Sequence, residues 1–119
     1  MNFPDRSTLH LTHFGRRSGK RFQVKIWYVI LDGDVWIGSL DVERNWVRNL
    51  GATGRGEIDF GDGPIACSCR RIHEETALAR FREAIREKHP ILSRVIAPLV
   101  RRKRPGAFRL TLDAQDPSH

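Results

Sequence analysis

Six residues between two extended segments, Gly15-Arg16-Arg17-Ser18-Gly19-Lys20, combine two features that together hold an anion. Glycines at both ends allow a tight turn to present its backbone N–H groups, and the basic side chains add charged donors. The spacing is not that of a Walker loop, which leads from a strand into a helix. A solvated basic β-turn is the plain alternative for the same residues. Other chemistry-bearing types are dispersed. Ser7, Ser18, Ser39 and Ser68 lack the glycine-flanked pattern of a nucleophile elbow, and the histidines are scattered. Cys67, Cys69 and His73 offer three of the four ligands that structural zinc wants, without a second cysteine pair, so no metal site is expected. Two apart on a strand, the cysteines share a face, which suits small core-facing residues better than a strain-free disulfide.

The chain that must position these residues is 119 residues long with 39% apolar and 29% charged residues, a balance that reads as one globular domain over residues 1–119. Large multidomain enzymes and repeat arrays are excluded. The net charge of +7 and pI of about 10.4 call for an anionic partner, whether nucleic acid, anionic lipid or a phosphorylated or carboxylated small molecule. The basic residues cluster at two places, the 15–20 turn and Arg101-Arg102-Lys103-Arg104. They do not form a stripe interleaved with aromatics, so nucleic acid is not the expected partner. The second cluster follows an apolar stretch, residues 91–100, that Pro98 interrupts. Packing of that stretch on the domain is expected rather than stable membrane association. No apolar run reaches the length of a span, and the first residues lack a basic-then-apolar leader, so a cytoplasmic protein is expected.

The patterning predicts strands over 7–14, 22–31, 35–40, 54–60, 64–72 and 107–112. Asp32-Gly33-Asp34 reads as a hairpin turn, since Asp-Gly suits the primed turns that match strand twist. A short helix is expected over 41–51, capped by Asp41 and stopped by Gly51, with Val42, Trp46, Val47 and Leu50 at helical spacing. A second is expected over 74–89, where Leu78, Phe81 and Ile85 form an apolar stripe, and 91–100 is a third helical segment. Six strands with two or three helices describe an α+β domain with a mostly antiparallel sheet, of a kind that often curls into a barrel to remove exposed edges.

Four segments in order carry a resemblance to a known family. Leu11-Thr12-His13-Phe14-Gly15-Arg16-Arg17-Ser18-Gly19-Lys20 resembles the "L-T-T-x-G-R-[KR]-S-G-[KRQ]" motif of the deazaflavin-dependent nitroreductases, split β-barrel proteins related to the pyridoxamine-phosphate-oxidase-like fold. An apolar-aromatic strand follows, Val24-Lys25-Ile26-Trp27-Tyr28-Val29, then Asp32-Gly33-Asp34 with Ile37-Gly38-Ser39, then Trp46-Val47-Arg48-Asn49-Leu50 for the family's "W-x-x-N-L" helix. Lys25 replaces a common proline, and the loop after Ser39 is shorter than in many relatives.

The resemblance implies a deazaflavin coenzyme, F-420, with FMN as the alternative, lying between the basic turn and the Trp-Asn helix. Arg16, Arg17, Ser18 and Lys20 would hold its phosphate or phospholactyl-oligoglutamate tail, with Lys25 adding to them if it faces the same side. The ring would lie against the backbone of the Ile26-Trp27-Tyr28 and Ile37-Gly38-Ser39 strands, with Gly38 permitting close approach. Trp46 and Asn49, one helical turn apart, would reach the tail, although a core Trp and a helix-surface Asn fit the same spacing. The activity implied is hydride transfer to a small organic acceptor by a homodimer, the protein supplying orientation and a dry pocket. A non-catalytic coenzyme-binding module is the second reading.

Overall fold

The computed structural model describes residues 7–39, 43–90 and 106–113. These form β1 (Thr8–Phe14), β2 (Arg21–Leu31), β3 (Asp34–Ser39), α1 (Asn45–Thr53), β4 (Arg55–Asp59), β5 (Pro64–Ile72), α2 (Glu75–Lys88) and β6 (Gly106–Leu112). The expected Asp41 cap, the segment 91–100 and the basic residues 101–104 lie outside the described residues. The six strands close into a barrel in the order β1-β2-β3-β6-β5-β4, every pair antiparallel. Closure gives every strand a neighbour on both sides.

Register follows from alternation. Leu9 stands opposite Ile26, Leu11 opposite both Val24 and Ile58, and Ile37 opposite both Tyr28 and Phe108. One-residue slippage would turn each of these outward, so the apolar alternation fixes the pairing. The inward set, with Val35, Cys67, Cys69 and Leu110, fills the barrel. Helix α1 adds Trp46, Val47 and Leu50 to that core. Each large side chain buried in this way stabilises the fold by about 1.5–3 kcal/mol.

The outward face of β2, β3, β5 and β6 carries a second core of Val29, Trp36, Ile72 and Ala107, covered by Phe81 of α2. The Trp36 and Phe81 rings stack with centroids 6.3 Å apart. Helix α2 thus lies where its apolar stripe demands. The Asp32-Gly33 hairpin also forms as expected, with φ of 54° and 79°.

Helix α1 differs from its expected bounds. It runs past Gly51 and ends at Gly54, whose φ of 66° is the left-handed value a helix C-cap favours, and whose N–H donates to the Leu50 carbonyl at 2.8 Å. Arg44 precedes it without a side-chain cap. Cys67 and Cys69 face the interior as free thiols with sulfurs 3.9 Å apart. The neighbouring Cys67 sulfur, together with burial, pushes the Cys69 thiol up, so it stays protonated. Among the described residues, no three His, Cys, Asp or Glu side chains gather as a metal site, and no helix is long and apolar enough to cross a membrane.

Gly38 has a role the sequence reading did not foresee. A Cβ there would stand 2.6 Å from the Phe81 ring and 3.3 Å from the Gly106 carbonyl oxygen. The residue is glycine because α2 packs on it. Gly38→Ala should therefore lower stability by about 1–3 kcal/mol, the range for overpacking. In a Phe81→Ala background the same change should cost little, because the ring it strikes is gone. Denaturant unfolding of the four proteins of this cycle checks it. Equal costs in both backgrounds would contradict the packing account.

Candidate functional site

The basic turn between β1 and β2 is closed by its own backbone. Gly15 N–H donates to the Lys20 carbonyl and Gly19 N–H to the Gly15 carbonyl, both at 2.8 Å. Gly19 takes φ of +70°, and the Lys20 N–H donates to Ser18 Oγ at 3.2 Å. A Cβ on Gly15 would come 2.5 Å from that same Ser18 oxygen, so Ser18 would have to turn away, while Gly19 is the glycine that the turn's left-handed backbone favours.

Asn49 ties this turn to α1. Its Oδ1 accepts the Arg16 backbone N–H at 3.2 Å and Arg16 Nη1 at 2.8 Å, while its Nδ2 lies 2.9 Å from His13 Nδ1. Arginine can only donate, which assigns the oxygen to Arg16 and leaves the NH2 for His13. His13 must then accept at Nδ1 and carry its proton on Nε2. Asn49 and His13 are 3% and 5% exposed, so these contacts are shielded from water. Burial lowers the His13 pKa, which keeps the ring neutral near pH 7. Phe22, 45% exposed, stacks on the His13 ring with centroids 5.5 Å apart.

Around this anchor an open cleft of about 260 Å³ is lined by Arg16, Arg17, Ser18, Phe22, Asn45 and Asn49, with Gly15 at its floor. It combines two guanidinium groups, polar donors and one apolar ring. A larger depression of about 410 Å³ on the outer side of β3, β5 and β6 includes Arg70 and Arg109, but Asp34 binds Arg109 Nε at 2.6 Å and offsets its charge. The smaller cleft is the better anion site.

Of the residues singled out from the sequence, the structure brings Arg16, Arg17, Ser18 and Asn49 together at the cleft. Lys20 is exposed in the same turn. Asn49 is no helix-surface residue; it is buried as the anchor. The others stand apart from the cleft. Trp46 is buried against Phe108, with centroids 6.2 Å apart, and belongs to the barrel core. Ile26 and Tyr28 point into the same interior, so their side chains are closed to a ring. Trp27, 40% exposed, faces outward and stacks on His89 at 5.5 Å. Gly38 lies under Phe81, which occupies the space a coenzyme ring would need on that side. Ser39 pairs with Gly106 at the end of β3. Lys25 stands an odd number of positions from Phe22, hence on the opposite face of β2 from the cleft.

Two cleft residues, Phe22 and Asn45, and the residue behind the anchor, His13, are not singled out by the sequence. His13 did carry a signal, since it continues the inward alternation of Leu9 and Leu11 and so had to be a buried polar group in need of a partner.

No family model matches the sequence, and no curated protein matches it. Solved structures do share the fold. The heme storage protein HutZ from Vibrio cholerae superposes with a TM-score of 0.74 at 14% identity, covering 92% of this chain and 84% of that one. An F-420-H2-dependent reductase gives 0.71 at 18% identity, covering 93% and 99%. A domain-swapped dimer gives 0.70 at 18% identity, covering 93% and 84%. At these identities the likenesses establish the split-barrel fold alone.

The buried anchor makes a direct prediction about stability. Asn49→Ala leaves His13 Nδ1 and the Arg16 donors without their partner, and an unsatisfied buried polar group costs about 1–3 kcal/mol. Urea unfolding should show that loss. Arg48→Ala, on the exposed side of α1, should change stability by less than about 0.5 kcal/mol. Equal effects from the two substitutions would mean the Asn49 contacts carry no weight.

Proposed function

We propose that the chain binds an anionic flavin-type coenzyme, deazaflavin F-420 or FMN, with its charged end in the 15–20 turn. The observation that carries this reading is the cleft in which Arg16, Arg17 and Ser18 converge beside the apolar ring of Phe22. Arg16 is held in place by Asn49, so one guanidinium of the site is ordered before any ligand arrives. Arg17 and Lys20 add exposed charge on the same turn. Phe22 offers a flat surface to the uncharged part of the ligand. When bound, such a coenzyme supplies hydride chemistry, and a small organic acceptor is the proposed partner. The chain's own residues bind and orient; none is assigned a proton-transfer role. The reductase among the fold neighbours supports this choice, and the domain-swapped dimer among them supports a homodimer.

Haem binding is the second reading. The observation favouring it is His89, whose ring stacks on Trp27 while its buried Nε2 has no hydrogen-bond partner among the described residues. The heme storage protein shares the fold. An absorbance scan after loading with each candidate separates the two, since haem, flavin and deazaflavin have distinct visible spectra.

For the coenzyme reading, Arg17→Ala should weaken binding of F-420 or FMN roughly tenfold or more, since a charge-assisted hydrogen bond contributes about 1.5–3 kcal/mol. Raised salt should weaken it as well, because the turn is exposed. Fluorescence or calorimetric titration checks both. Unchanged affinity in Arg16→Ala, Arg17→Ala and Lys20→Ala alike would remove the turn from the site.

A further inference from the structure

The contact that pins the basic turn to α1 passes through a titratable ring. Asn49 Oδ1 accepts twice from Arg16, and this orientation leaves Nδ2 donating to His13 Nδ1. Protonation of His13 places a second proton on Nδ1, where it meets the Nδ2 donors. The amide can relieve that conflict only by turning its oxygen to His13. Its NH2 then faces the Arg16 donors, and both Arg16 contacts are lost.

We propose that His13 and Asn49 are positioning residues that make anion binding by the turn depend on the charge of His13: neutral, it holds Arg16 in the cleft; protonated, it releases it. The inference rests on the reading of the turn as the anion site and adds its regulation. Its sign opposes simple electrostatics. A basic site ordinarily gains anion affinity as acidification adds positive charge. Here acidification should weaken binding.

The surroundings are consistent with a ring that controls rather than responds. Gly56 stands opposite His13 on β4, Phe22 stacks from β2, and Asn49 approaches from α1. On these elements Arg21 pairs with Glu57 at 2.6 Å and Arg55 with Asp113 at 2.5 Å, Asp59 accepts the Gly61 and Gly63 N–H groups, and Lys25 lies on the face of β2 opposite to His13's partner Phe22. Arg16 reaches His13 through Asn49, and Arg48 is exposed on α1. Burial lowers the proton affinity of the ring, so the neutral, turn-holding form is the resting state near pH 7.

The test is ¹⁵N NMR of the full chain between about pH 8 and about pH 5, the range in which histidines titrate. Sulfate is the anion probe, because its charge is fixed over this range. The expected result has two parts. The Arg16 amide and guanidinium signals follow the same midpoint as the His13 imidazole. Sulfate affinity then falls through that midpoint roughly tenfold, the factor carried by one lost charge-assisted contact. In His13→Asn an amide oxygen near the former Nδ1 accepts from Asn49 at every pH, and sulfate affinity should hold or rise on acidification. The inference is overturned if Arg16 does not follow His13, if His13 stays neutral until the chain unfolds, or if both proteins show the same pH profile. Sulfate that fails to bind the turn at all overturns it too. Parallel titrations with FMN and with F-420 keep the two claims apart: pH-dependent sulfate binding without binding of either coenzyme leaves this inference standing and removes the coenzyme reading.

Discussion

The carboxamide of Asn49 is the contact on which the candidate site depends. It has one acceptor oxygen and one donor nitrogen, and both are committed in opposite directions, to Arg16 and to His13. Through it a surface turn rich in like charges is fixed to a helix that is itself part of the barrel core. Without such a tie, an exposed turn of three basic residues would hold its side chains apart by repulsion and solvation. With it, one guanidinium is ordered at the rim of a cleft before any ligand binds, which removes part of the entropic cost of capture.

The rest of the barrel decides where a site cannot be. The interior is filled by aliphatic and aromatic side chains, including Tyr28, Phe108 and Trp46 of α1. Part of the outward face of β3 and β6 is covered by α2, with Phe81 seated over Gly38. The side chains of Ile26 and Tyr28 and the space above Gly38 are therefore taken up by packing contacts. What remains available near the basic turn is Phe22, at the end of β2 where the inward face meets solvent.

Much of this was legible in the sequence, and the limits have physical causes. Alternation over Leu9 and Leu11, the β-branched run of β2 and the Asp32-Gly33 turn gave strands and hairpin because these signals are local. The α2 stripe was equally local. The end of α1 was misread because Gly51 and Gly54 are both plausible stops, and only the left-handed backbone at Gly54 distinguishes them. Gly38 was misread because a glycine that admits a neighbouring helix and one that admits a ligand look identical in sequence. The Arg16, Arg17 and Ser18 side of the cleft was visible as composition. Its Asn49 and His13 anchor spans 33 and 36 residues, a separation no local pattern reveals.

The central claim, that the Asn49-anchored turn is where an anionic coenzyme binds, is tested most directly by amide chemical-shift mapping during titration with FMN or F-420. The account predicts saturable shifts concentrated at residues 15–22 together with Asn45 and Asn49. Shifts confined to Trp27 and His89, with the turn unmoved, would contradict it.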